Sequence, residues 1–108
     1  MQINWSEQSQ NDLKDILSYV GSNFGRQKAE IVLSNIRSTV ELLKDFPLLG
    51  KNFVEDKTLG IYYRSLSSKL NQIVYYIESD SINIVAIWQN RCDINSLYKR
   101  VNTKKTIR

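Results

Sequence analysis

The second half of the chain constrains the fold most. Gly60-Ile-Tyr-Tyr-Arg64-Ser-Leu66, Asn71-Gln-Ile-Val-Tyr-Tyr-Ile77 and Ser81-Ile-Asn-Ile-Val-Ala-Ile-Trp88-Gln-Asn-Arg91-Cys-Asp93 are successive strand-like runs, rich in β-branched and aromatic residues. Only very short turns join them, Ser79-Asp80 among these, and such turns serve antiparallel neighbours. In the last two runs both faces are substantially apolar, as central strands require. Ile82, Ile84, Ala86 and Trp88 alternate there with Asn83, Val85, Ile87 and Gln89. A small antiparallel sheet presenting arginines suggests a surface for gripping something anionic.

Helices precede the sheet. Gln2–Trp5 reads as a short strand, and Ser6 as the cap of a helix whose buried stripe is Leu13, Ile16, Leu17 and Val20. Gly21 and Gly25 bracket its end. A second helix runs from about Arg26 to Asp45 on the stripe Ala29, Val32, Leu33, Ile36, Val40 and Leu43, and Pro47 stops it. A link of about four or five residues between them predicts an antiparallel helical hairpin, which needs the sheet as a covering layer. Leu48–Leu59 reads as a connection that can hold a little extended structure. Asp93 caps a final short helix, roughly residues 94–101. The expected class is α+β, in the order β-α-α-β-β-β-α, with the hairpin packed on a mainly antiparallel sheet. Residues 1–102 form one domain and 103–108 a basic tail.

Composition excludes much. The chain has 108 residues, no histidine and a single cysteine, Cys92. No Ser-His-Asp or Cys-His system, histidine metal site or zinc cluster is possible within it. No phosphate-cradling glycine loop occurs. No run is long and apolar enough for a membrane span, and the N-terminus lacks a signal pattern, so a cytoplasmic protein is expected. Residues 1–59 carry seven basic and eight acidic side chains, and residues 60–108 carry eight basic and three acidic. The excess of the second half favours a nucleic-acid or acidic protein partner. The plain alternative is a solvated basic surface.

The chain resembles the RelE/ParE family of bacterial toxins, the toxin half of type II toxin–antitoxin modules. The resemblance rests on Trp5-Ser-Glu-Gln-Ser-Gln-Asn-Asp-Leu13, Phe46-Pro47-Leu-Leu-Gly50, Tyr63-Arg64-Ser-Leu66, Ile73-Val-Tyr-Tyr-Ile77, and Ile87-Trp88-Gln-Asn-Arg91-Cys-Asp93 with Leu97. It implies a growth-arresting toxin neutralised by a cognate antitoxin in a hetero-oligomer. The antitoxin's toxin-binding segment is expected to be acidic or amphipathic and to fold on docking. RelE-like members are ribosome-dependent, metal-independent mRNA endonucleases; ParE-like members poison DNA gyrase. No cofactor or metal is implied by either activity.

Site residues follow from the resemblance. Arg91 matches the arginine that the ribonucleases keep at the end of the last strand, where a guanidinium suits a pentavalent phosphate. Arg64 lies near their basic residues, and Tyr98 near a C-terminal tyrosine that some of them use. These three are the candidate catalytic set if the chain is a ribonuclease. Arg64, Lys69, Arg91, Lys99 and Arg100 are the candidate target-binding residues. The departure is Gln72, where many RelE-like enzymes carry arginine, together with the missing lysine pair around Arg64. That puts the ParE-like reading ahead of the ribonuclease, with an inactive binding module as a third reading. Arg91 also stands close enough to Asp93 to be a plain ion pair. For most of Tyr62, Tyr63, Tyr75 and Tyr76, packing in the core is the expectation over stacking on bases. Trp5, Trp88 and Cys92 are likewise assigned to the core.

Overall fold

The computed structural model describes residues 1–89. The elements are β1 (Gln2–Trp5), α1 (Glu7–Phe24), α2 (Arg26–Asp45), β2 (Lys51–Asp56), β3 (Ile61–Ser68), β4 (Asn71–Glu78) and β5 (Ser81–Gln89). The strands form one sheet in the order β1-β5-β4-β3-β2. β1 pairs parallel with β5, and all other pairs are antiparallel. The two apolar runs are therefore central, as their composition requires. Cys92, Asp93 and the expected final helix lie outside the described residues.

Helix ends follow local chemistry. Ser6 Oγ accepts from the Ser9 N–H at 3.0 Å and caps α1. α1 runs through Gly21 and stops at Gly25, whose φ of 95° favours glycine. The expected four- or five-residue link is in fact this one residue. Gly25 N–H donates to the Gly21 carbonyl, while its own carbonyl accepts from Ala29 N–H, so it serves both helix ends. α2 closes with Phe46 N–H on the Leu42 carbonyl, and Pro47 follows.

A second correction concerns residues 48–59, which contain the true strand β2. Its run Lys-Asn-Phe-Val-Glu-Asp has only two apolar residues, and a register shift at Phe53 breaks the alternation. As an edge strand it needs no two-sided apolar pattern.

A third correction concerns β5. Val74 pairs with Ala86, but Tyr75 pairs with Ile84, so Val85 is an extra residue. This bulge resets the alternation. Ile82, Ile84 and Ile87 join Ile73 and Tyr75 against Ile16, Val20, Ile36, Val40 and Leu43. Ala86 and Trp88 turn to the opposite face, with Tyr63 and Val74.

The bulge sits where β1 gives way to α1. Ser6 N–H donates to the Ile84 carbonyl at 3.0 Å, and Ser6 Oγ donates to the Val85 carbonyl at 3.3 Å. Further along, Asp12 Oδ2 accepts from Ile87 N–H at 3.1 Å, while Gln8 Nε2 donates to Asp12 Oδ1 at 2.9 Å. Thus α1 supplies the partners that β1 is too short to provide. Asp12→Ala strands the buried Ile87 N–H and should cost about 1–3 kcal/mol in denaturant unfolding. Asp12→Asn keeps an acceptor and should cost less.

α2 is held to β3 by a short polar chain. Thr39 Oγ1 donates to Ser68 Oγ at 2.9 Å, and Ser68 Oγ donates to the Asn35 carbonyl at 3.1 Å. Between α2 and β2 the connection turns under Tyr75. Its hydroxyl donates to the Pro47 carbonyl at 2.7 Å and accepts from Gly50 N–H at 2.9 Å. A Cβ on Gly50 would stand 2.7 Å from that hydroxyl, so any other residue there displaces the ring or the loop. Tyr75→Phe leaves two backbone groups without their partner, and a loss of about 1–3 kcal/mol is expected.

Burial raises the Tyr75 pKa above the ordinary tyrosine value, outweighing the Gly50 N–H and the nearby Arg64 charge, which lower it. The unfolded phenol therefore ionises first. The resulting stability is complete below the unfolded pKa and is lost as pH rises towards the folded one. Wild-type protein should lose stability more steeply than Tyr75→Phe in denaturant titrations above about pH 10.

Candidate functional site

Residues directly opposite across paired strands share a face. Arg64 pairs with Tyr75, whose ring lies in the helix-side core, so Arg64 also belongs to the helix side. There its Nη1 donates to the Gly50 carbonyl at 2.8 Å and, at 3.5 Å, lies near the Leu48 carbonyl. One candidate catalytic residue is thus a partly buried clasp on the connection that Tyr75 also grips. Arg64 is the only Lys or Arg in β3, β4 and β5.

The face away from the helices has a different chemistry. Tyr63, Val74, Ala86 and Trp88 are buried on it. Tyr63 and Tyr76 meet edge to face at 5.7 Å, and Phe53 meets Trp88 at 6.3 Å. Beside them runs a neutral polar ladder. Ser65 Oγ donates to Gln72 Oε1, and Gln72 Nε2 donates to Ser67 Oγ, both at 2.7 Å. Gln72, where the resemblance to RelE-like enzymes implies an arginine in many of them, is an amide held at both ends by hydroxyls. Replacing Gln72 with Leu should cost only about 1 kcal/mol in chemical denaturation, because the two partner hydroxyls lie near solvent.

Of the other predicted site residues, Lys69 sits in the β3–β4 turn with a φ of 57°. Arg91, Tyr98, Lys99 and Arg100 lie outside the described residues. Within the second half, residues 60–89 carry two basic and two acidic side chains. The basic excess therefore belongs wholly to residues 90–108, not to the sheet as far as Gln89. Of the tyrosines, Tyr63 and Tyr75 are core, whereas Tyr62 is 62 % exposed. The hydroxyl bond to Glu55, that residue's charge and a little burial together raise the Tyr62 pKa. Trp88 is buried and Trp5 packs against the helix-side core.

Two concavities stand out, and the sequence signalled neither. A cleft of about 640 Å³ opens at the sheet end bearing the β2–β3 and β4–β5 turns, lined by Leu48, Asn52, Leu59, Tyr62, Arg64 and Glu78 among others. A more apolar groove of about 370 Å³ lies between α1, α2 and the β3–β4 turn, lined by Tyr19, Phe24, Lys28, Leu70 and Asn71 among others. Asn71 is buried, and among the described residues its Oδ1 has no hydrogen-bond partner. Among the described residues, no group of three or more acidic, histidine or cysteine side chains is placed to hold a metal ion. No described helix is long and apolar enough to cross a membrane.

Residues 3–94 match the family model described as ParE toxin of type II toxin-antitoxin system, parDE. The chain belongs to the ParE toxin family. It is thereby the toxin component of a type II toxin–antitoxin system. Among solved structures, a chain of the chromosomal ParDE TA system from P. aeruginosa is similar, with a TM-score of 0.63 and 19% identity. The match covers 82% of this chain and 95% of that one, and it confirms the α+β fold. No curated protein matches.

Proposed function

We propose that this ParE-family chain arrests growth from the cytoplasm by binding DNA gyrase, and that a cognate antitoxin silences it. The observation that carries the choice of target is the position of Arg64. Among the described residues, the one guanidinium of the three consecutive strands faces the helices and holds Gly50, while the opposite face carries the neutral Ser65–Gln72–Ser67 ladder with Lys51 at its edge. Attack of a ribose 2′-oxygen on phosphate needs fixed cations around the developing charge. A face built of tyrosines, a buried tryptophan and neutral amides suits contact with a protein better.

The experiment is a supercoiling assay with purified gyrase, paired with primer extension on an mRNA under translation. The expected result is inhibited supercoiling with intact mRNA. New cuts in the ribosomal A site that vanish in Arg91→Ala would transfer the function to RNA cleavage. Normal supercoiling at large toxin excess would remove gyrase as the target.

A further inference from the structure

The cleft at the turn end of the sheet holds a cation with incomplete partners. Arg64 donates through Nη1, and among the described residues neither Nε nor Nη2 is hydrogen-bonded. No described carboxylate pairs with it. Such donors in a partly buried guanidinium suit a bidentate carboxylate. The side chains around it are apolar and open to solvent: Leu48 is 65 % exposed, Tyr62 62 % and Leu59 48 %. Apolar surface gathered at the mouth of one cavity marks an interaction site more than scattered single residues do. Glu78, the cleft's one acidic lining residue, is exposed at the end of β4, where water screens it.

We infer that this cleft receives a carboxylate side chain flanked by apolar residues, presented by the cognate antitoxin. The inference rests on the toxin–antitoxin assignment but not on gyrase as the target. A concave site fits a side chain projecting from a segment that orders on docking better than it fits a flat folded surface. The carboxylate meets Arg64, and its apolar neighbours cover Leu48, Leu59 and Tyr62. Binding also reinforces the clasp on Gly50, because the same guanidinium serves both.

Arg64 helps hold the fold, so the cleft wall gives the cleaner test. Leu59 is exposed, and Leu59→Glu and Leu59→Lys should both leave thermal unfolding unchanged. Leu59→Glu sets a like charge beside the incoming carboxylate and should weaken antitoxin binding at least about tenfold in calorimetric titration. Leu59→Lys should weaken it much less. Equal dissociation constants for the two variants would overturn the inference. A second readout is the Arg64 Nε–Hε resonance in titrations with acetyl-Leu-Glu-Leu-amide and its glutamine analogue. A shift with the glutamate peptide alone is expected; no shift, or the same shift with both, would sink the proposal. Both measurements read binding alone, so they stand whether or not supercoiling is inhibited.

Discussion

The structure turns on the handover at the edge of β5. β1 pairs only with Ser81–Ile84, while β5 continues to Gln89. A central strand with half of one edge unpaired would leave buried N–H and C=O groups without partners, which folded proteins avoid. The first turns of α1 resolve this. Ser6 takes the Ile84 and Val85 carbonyls, and Asp12 takes the Ile87 N–H. One buried carboxylate thereby fixes the height and rotation of α1 on the sheet. The bulge at Val85 lies between those contacts and moves Ile87 to the helix side. The division of β5 into two apolar faces thus depends on what α1 offers at this edge.

A second polar knot, at the far end of α2, decides the fate of the site. Tyr75, Gly50, Pro47 and Arg64 form a compact set that binds the connection into the helix-side core. Gly50 is there because the Tyr75 hydroxyl occupies the space a Cβ would need. Arg64 is there because the Gly50 carbonyl, turned inward by that contact, needs a donor. The arginine therefore has a structural reason to exist without any nucleic acid. The same side chain also lines the neighbouring cleft.

Much of the fold was legible. Ser6 and Pro47 punctuate the helices through chemistry that acts within a few residues, and the α2 bounds Arg26 and Asp45 follow from its apolar stripe. The central position of β4 and β5 follows from their two apolar faces. What escaped was set by distant contacts. The β5 bulge depends on Asp12, which lies 75 positions from Ile87 in sequence. β2 forms because β3 offers it an edge, not because its own residues insist on it. The one-residue link at Gly25 was hidden because Gly21 looked like a stop, yet it lies inside α1, where Ala29 approaches from α2. The face of Arg64 was equally invisible. Strand parity says that Arg64 opposes Tyr63, but not which of the two meets the helices.

That parity bears directly on function. With Arg64 on the helix side, the opposite face has no cation on β3, β4 or β5, and the basic excess of the second half lies beyond Gln89. Among the described strands, the cation on that face is Lys51 at the β2 edge, opposite Ser65, and the rest of the face is aromatic and amide surface. Positive charge thus lies at the edge of that face and beyond Gln89, not at its centre. Among the described residues, the sheet's one guanidinium stands beside Gly50 and lines the cleft. An antitoxin that seats a carboxylate there acts on the same knot that positions the connection between α2 and β2. Neutralisation and local stability are then coupled through a single side chain, and neither requires the toxin to perform chemistry.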